Sequence, residues 1–136
     1  MNRRELPVSE QTPGEVVHGA TEAYCAGAVD RAAEFIAPDA VDHSTYGGTT
    51  PGPAGVPLGV EGWRARWEAA LVGVTDLEVA VERTVEAGDT VARVLTTRGT
   101  RDGQPFELTG IDIVRVRDGR IAEHWAVASR PAPGSA

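Results

Sequence analysis

The stretch Gly110–Val127 reads GIDIVRVRDGRIAEHWAV and predicts two β-strands joined by a tight turn at Asp118-Gly119. Each strand carries an ionisable residue where a half-buried sheet favours an apolar one. These residues are Asp112 in the first strand and His124 in the second. A buried carboxylate is costly unless it is paired or neutral. Asp112 is therefore either a structural ion or an acid/base group with a shifted pKa.

The sequence before this hairpin predicts the rest of the sheet. Apolar and polar residues alternate from Leu77 onwards, and turns are predicted at Ala87–Asp89 and Asp102-Gly103. Helical periodicity and a short apolar run predict the earlier elements, which are helices over about 14–27, 30–36 and 60–72 and a strand over 40–45. The order ααβαββββ predicts an α+β fold in which three N-terminal helices lie on one side of a curved antiparallel sheet.

The length of 136 residues predicts one domain, which we place at residues 14–129 between disordered tails over 1–13 and 130–136. Residues 46–59, YGGTTPGPAGVPLG, contain too much glycine and proline for a regular element. A loop of this length in a small domain is more often functional than idle, and it could close over a ligand.

Composition excludes several classes of partner. The chain has 13 basic and 20 acidic residues and a net charge of -7, so it is a poor binder of nucleic acid or anionic membrane. The single cysteine, Cys25, excludes an internal disulfide and a cysteine-based zinc site. No stretch is long and apolar enough for a membrane span, and the first residues lack a signal-peptide core. We expect a cytoplasmic protein.

The turns also predict which residues pair across the strands. A two-residue turn at Asp102-Gly103 places Arg93 opposite Asp112. At Asp118-Gly119, a three-residue loop would place His124 opposite Asp112, whereas a two-residue turn would place Trp125 there. We favour the first register, because it gathers Arg93, Asp112 and His124 on one concave face. The arginine would lower the pKa of Asp112 and burial would raise it.

Further residues of the helices, the loop and the strands are candidates for binding a hydrophobic small molecule. They are Tyr24, Tyr46, Trp63, Trp67, Leu95, Thr97 and Leu108. His43, beside the glycine-rich loop, is a further candidate for the catalytic centre. No spacing of histidine and carboxylate residues indicates a metal site.

The opposite face of the same hairpin is apolar. Ile111, Ile113, Trp125 and Val127 alternate with the inward residues and would be exposed in a monomer. Such a patch indicates burial by a partner subunit, so we expect a homodimer.

The order of elements, with APDAVDH at 37–43, GVEGW at 59–63 and RGTRDGQPFELTGIDIVRVRDGRIAEHW at 98–125, resembles SnoaL-like polyketide cyclases. These proteins belong to the nuclear-transport-factor-like superfamily, and residues 104–121 also resemble ketosteroid isomerase. The resemblance covers roughly residues 14–128. It implies a cone-shaped α+β fold, but this fold hosts many reactions.

The resemblance also implies a reaction. In such cyclases the aspartate that matches Asp112 is the acid/base group, and ring closure is an intramolecular aldol reaction of an enolisable substrate without metal or organic cofactor. In ketosteroid isomerase, a well-known case of a shifted carboxyl pKa, the acidic residue that matches Asp112 is neutral and donates a hydrogen bond.

The leading hypothesis is thus a cofactor-independent cyclase or isomerase acting on a polyketide-like substrate. Asp112 would take or give the proton, His43 or His124 would be its partner, and Arg93 would orient Asp112 or hold an enolate oxygen. The alternatives are an epoxide hydrolase, a cofactor-free hydroxylase, and a non-catalytic binding or dimerisation domain.

Overall fold

The first helix begins with a capping box. The structure, a computed structural model, describes residues 11–43 and 59–128. Helix α1 spans Pro13–Cys25, and the side chain of Thr12 accepts a hydrogen bond of 3.2 Å from the backbone N–H of Glu15. The carboxylate of Glu15 in turn accepts one of 3.3 Å from the backbone of Thr12. The helix therefore starts inside the segment that composition assigned to a tail.

The second predicted helix is shorter than expected, and a strand replaces its end. Helix α2 spans Val29–Ala33, strand β1 spans Ile36–Asp42, and helix α3 spans Gly59–Leu71. The expectation of a helix up to residue 36 and a strand only from residue 40 was wrong. Pro38 lies inside β1, which is tolerated because β1 is an edge strand of the sheet.

Four long strands complete one five-stranded sheet in the order β1-β5-β4-β3-β2. They are β2 (Val74–Ala87), β3 (Thr90–Arg101), β4 (Gln104–Arg117) and β5 (Arg120–Ala128). Strands β2 to β5 are antiparallel neighbours, as predicted, whereas β1 runs parallel to β5. The α+β fold with a curved sheet is confirmed, with one parallel strand added at its edge.

The two Asp-Gly turns are both two-residue turns. Asp102, Gly103, Asp118 and Gly119 all have positive φ, between 49° and 82°, which matches the right-handed twist of a tight hairpin. Arg101 accordingly pairs with Gln104. The predicted pairing of Arg93 with Asp112 is confirmed.

The second hairpin differs from both predicted registers. Its turn pairs Arg117 with Arg120, but the register shifts between Arg115 and Val116, so that Asp112 lies opposite Ala126. The predicted pairing of Asp112 with His124 was wrong, since Val114 is the partner of His124. One additional residue in β5 nevertheless returns His124 to the face of Asp112, because side chains alternate between the faces.

The core packs α1 and α3 against the sheet. Val91 and Val114, which pair across β3 and β4, are fully buried in it. Apolar residues from two helices and from three strands join them, with Phe35 just before β1, and the cluster consists of Val16, Val17, Ala20, Phe35, Ile36, Ala37, Ala40, Trp63, Val91, Val114, Val116 and Ile121. Several of these residues also line a cavity, so the core is continuous with one part of the cavity wall.

Gly19 of α1 packs against the ring of the core residue Phe35. A methyl group there would lie 2.7 Å from Cζ of Phe35. Alanine favours a helix over glycine by about 1 kcal/mol, but overpacking costs about 1–3 kcal/mol. We expect Gly19→Ala to lower the free energy of unfolding by about 1 kcal/mol in urea denaturation. The exposed Glu22→Ala is the control, and a stabilised Gly19→Ala would contradict the packing described.

Candidate active site

A cavity of about 470 Å³ lies between the helices and the concave face of the sheet. Most of the sequence-predicted site residues line it: Arg93, Asp112 and His124 together with Tyr24, Trp63, Trp67, Leu95, Thr97 and Leu108. Tyr46 and most of the glycine-rich loop lie outside the described residues. The roles of all these residues stay predictions, although the structure brings the named ones together.

Asp112 is held by a two-pronged ion pair with Arg93. The Nε and Nη2 atoms of Arg93 donate to the two carboxylate oxygens of Asp112 at 3.0 and 2.6 Å. The third nitrogen, Nη1, donates to the hydroxyl of Thr21 on α1 at 2.9 Å. Both members of the pair are buried, with Asp112 only 4% exposed. Two parallel hydrogen bonds fix the orientation of the carboxylate as well as its charge.

His124 lies between two buried aspartates. Its Nε2 atom is 3.6 Å from Oδ2 of Asp112, and its Nδ1 atom is 3.2 Å from Oδ1 of Asp42. Asp42 reaches this position because β1 pairs with β5 in parallel, with Asp42 beside His124. The imidazole therefore connects the two carboxylates, one at each ring nitrogen.

Arg66 extends this chain of charged groups. Its Nη1 atom donates to Oδ2 of Asp42, which is 4% exposed. Neither Asp42 nor Arg66 was among the site residues predicted from the sequence. Asp42 carried one usable signal, since it shares a strand face with the buried Ala40. Arg66 carried another, since it lies beside Trp67 and three positions after Trp63, both of which were predicted to face the ligand.

The negative charge of Asp112 and the positive charge of protonated His124 stabilise each other. Burial raises the pKa of the Asp112 carboxyl, but hydrogen bonds from His124 and Arg93 outweigh it, and the pKa lies below its usual 3.8. Burial lowers the pKa of His124, but hydrogen bonds to Asp112 and Asp42 outweigh it, and the pKa lies above its usual 6.5. Near neutral pH, Asp112 is anionic and His124 is biased towards its cationic form.

Aromatic side chains form one wall of the cavity. The ring of Trp63 meets that of His124 edge-on, with 5.7 Å between centroids, and meets Trp67 at 5.6 Å. Tyr24 lies 5.9 Å from Trp67. Burial raises the pKa of the Tyr24 phenol, so the group stays neutral. Phe106, which sequence reasoning omitted, also lines the cavity.

His43 is placed apart from this cluster. Its ring stacks on Trp125 on the outer face of the sheet, with centroids 4.8 Å apart, and its Nε2 atom is 3.0 Å from Glu123. Arg115 pairs with the same glutamate at 2.7 Å. His43 therefore does not line the cavity with Asp112. Within residues 11–43 and 59–128, no group of three His, Cys, Asp or Glu residues is arranged to hold a metal ion.

An α+β cone with ionised groups inside an aromatic-lined cavity defines a class of small-molecule-binding domains able to perform acid/base chemistry. The chain belongs to the SnoaL-like polyketide cyclase family, whose model matches residues 15–132. The predicted family is thereby confirmed. A sequence comparison with curated proteins gave no match.

Solved structures agree with this assignment. The chain is 36% identical to wild-type IdmH from Streptomyces antibioticus, for which a polyketide cyclase role has been suggested. The match covers 88% of this chain and 93% of IdmH, with a TM-score of 0.76. A SnoaL-like polyketide cyclase from Agrobacterium tumefaciens (16% identity, covering 91% of this chain and 96% of that one, TM-score 0.75) shares the fold. So does a ketosteroid isomerase-like protein from Catenulispora acidiphila (18% identity, coverage 90% and 90%, TM-score 0.72).

The sequence also predicted a small-molecule substrate and the absence of a membrane span. Among the described helices, none is long and apolar enough to cross a membrane. The family supports a small-molecule substrate. The cytoplasmic location stays a prediction of the sequence.

The shifted pKa values predict how stability depends on pH. Because the pKa of His124 is raised in the folded state, its protonated ring stabilises the fold. This stabilisation is complete below pH 6.5 and is lost as the pH rises through the folded-state pKa. Because the pKa of Asp112 is lowered in the folded state, its ionised carboxylate also stabilises the fold. This stabilisation is complete above pH 3.8 and is lost as the pH falls through the folded-state pKa. We expect His124→Gln to remove the loss of stability on the neutral-to-alkaline side, as measured by urea unfolding at pH 6 to 8.5. An unchanged pH profile in this variant would show that His124 gains no charge stabilisation from its aspartates.

Proposed function

We propose that the protein is a cofactor-independent acid/base enzyme that closes a ring, or moves a double bond, in a polyketide-like substrate. The observation that carries the proposal is the contact between Asp112 and His124 inside the aromatic-lined cavity. A buried anionic base beside a cationic acid is the pair that enolisation followed by protonation requires. Membership of the cyclase family supports the same type of reaction.

In the proposed ring closure, the Asp112 carboxylate removes a proton from an activated carbon of the substrate. The resulting enolate carbon attacks a carbonyl carbon of the same molecule, so that a C–C bond forms and the C=O π bond breaks. His124 donates its proton to the new alkoxide oxygen. Asp112 then holds the proton taken from carbon and His124 is neutral, so transfer of that proton from Asp112 to His124 across their 3.6 Å contact restores the starting state. In the isomerase variant, the proton returns to a different carbon.

The lowered pKa of Asp112 limits the substrates that fit this role. A carboxylate that binds protons weakly is a weak base, and proton transfer is efficient only when donor and acceptor are matched. The carbon acid must therefore be unusually acidic. A carbon between two carbonyl groups meets this condition, and such carbons repeat along a poly-β-ketone chain.

Arg93 acts in this scheme as a positioning residue. Each of its three nitrogens donates a hydrogen bond within the protein, two to Asp112 and one to Thr21. It therefore orients the base rather than holding a substrate oxygen. His124, and not His43, is the proposed acid, because His43 lies on the outer face of the sheet.

We expect Asp112→Asn to fold normally and to lose at least ~10²-fold in turnover, the usual scale for positioned proton transfer. The assay follows deuterium uptake from D2O, and product formation, by NMR with aromatic 1,3-diketones. Asp118→Asn, in the exposed turn at the end of the same strand, is the matched control and should keep full activity. Near-normal turnover of Asp112→Asn would reject the acid/base role and favour a binding domain.

The outer face supports a second part of the proposal, a homodimer. Ile111, Ile113, Trp125 and Val127 are all at least 36% exposed, and they pair as Ile111 with Val127 and Ile113 with Trp125. They form a contiguous apolar patch at the middle of the sheet, bordered by the His43, Glu123 and Arg115 cluster. An apolar centre with a polar border is the usual composition of a subunit interface.

We expect Ile111→Asp to convert the dimer into monomer, because it places a charge at the centre of the apolar patch. Sedimentation velocity at micromolar concentration measures the change. Val72→Asp, at a similarly exposed apolar residue outside the patch, is the control and should stay dimeric. A wild-type protein that sediments as a clean monomer would refute the dimer.

A further inference from the structure

Arg66 is a partly buried cation of the cavity with unused hydrogen-bonding capacity. Its Nη1 atom donates to Asp42, while Nε is buried without a hydrogen-bond partner among the described residues. No hydrogen bond from Nη2 is found within the same part of the chain. The side chain lines the cavity and keeps 16% exposure. A guanidinium group has five N–H donors, and leaving them unpaired in partly buried surroundings is costly.

The other cations of the cavity are engaged within the protein or exposed to solvent. Arg93 uses all three nitrogens within the protein, and both ring nitrogens of His124 face aspartates. Arg101 donates to the backbone oxygen of Ala70 and covers the ring of Phe106. A charged acceptor would therefore find a partly buried cation with unused donors at Arg66. The indole Nε1 of Trp63, which also lines the cavity and also lacks a partner among the described residues, is uncharged.

The balance of charge in the cavity has the opposite sign to that of the whole chain. Three arginines and two aspartates are among the described lining residues, which leaves an excess of one positive charge before His124 is protonated. The chain as a whole has a net charge of -7. Because screening limits exposed charges to about 8–10 Å, the local excess governs what binds inside.

We propose that the cavity binds its ligand as an anion and that Arg66 holds the charged oxygen, which is a carboxylate or an ionised enol or phenol. The proposal rests on the proposed function in taking this cavity as the substrate site. It adds a substrate class, namely planar, largely apolar molecules with one acidic oxygen. A guanidinium that offers parallel N–H groups matches such an oxygen in geometry and charge.

Two matched pairs of probes test the proposal by isothermal titration calorimetry. 2-Naphthoate against 2-naphthamide tests a carboxylate, and 2,4-dinitro-1-naphtholate against its methyl ether tests an enolate-like oxygen. We expect the anion of at least one pair to bind about tenfold tighter than its neutral partner, the scale of a charge-assisted hydrogen bond. Equal affinities within both pairs would overturn the proposal.

Variants test whether Arg66 makes the contact. Arg66→Gln should remove the preference for the anion, whereas Arg64→Gln, on the same helix but paired with Asp30, should keep it. The double variant Asp42→Asn/Arg66→Gln leaves the charge of the cavity unchanged and removes the guanidinium. It should lose the preference as well. A preference that survives in Arg66→Gln or in the double variant would overturn the assignment to Arg66.

Thermal unfolding confirms that each variant is folded before titration, and the double variant avoids leaving Asp42 without its arginine. These measurements need no turnover. A failure of the acid/base proposal would be seen as an active Asp112→Asn, while a failure of the anion site would be seen as equal binding of the matched probes. The two outcomes are therefore separate.

Discussion

The two-pronged ion pair between Arg93 and Asp112 is the interaction on which the site depends. Taking a carboxylate out of water is expensive, and only a partner with matching geometry offsets the cost. Because Arg93 also donates to Thr21, the pair links the sheet to α1 and fixes how the helix lies over the cavity. The ion pair therefore holds the Asp112 carboxylate charged and in a fixed orientation before any ligand arrives, which the proposed acid/base role requires.

The remaining charged groups extend this pair without leaving an isolated charge. Asp112 contacts His124, His124 contacts Asp42, and Asp42 accepts from Arg66. Charges of opposite sign alternate along the series when His124 is protonated. Because the groups interact this closely, their titrations are coupled, and the protonation of His124 depends on both aspartates.

Local signals in the sequence predicted part of this arrangement. The Asp102-Gly103 turn predicted the pairing of Arg93 with Asp112, because turn chemistry sets the register of a hairpin. Alternation also predicted the exposed apolar face that includes Ile111 and Val127. The contact between Asp42 and His124 was not predictable, because it joins residues 82 positions apart through a parallel pairing that no turn residue encodes. The register shift near Arg115 left no local signal either.

That register shift decides which residues of β5 face the cavity and which face outward. Without the additional residue, the continuous register of the two-residue turn would bring Trp125 opposite Asp112 and send His124 to the outer face. The same strand thus carries two interleaved sets of residues, one facing the cavity and one facing outward, and a single backbone irregularity decides which set faces inward. A substitution changes one set at a time, whereas a one-residue deletion in β5 would exchange the two sets. The length of β5 therefore acts on both faces of the sheet at once, while each of its side chains acts on one.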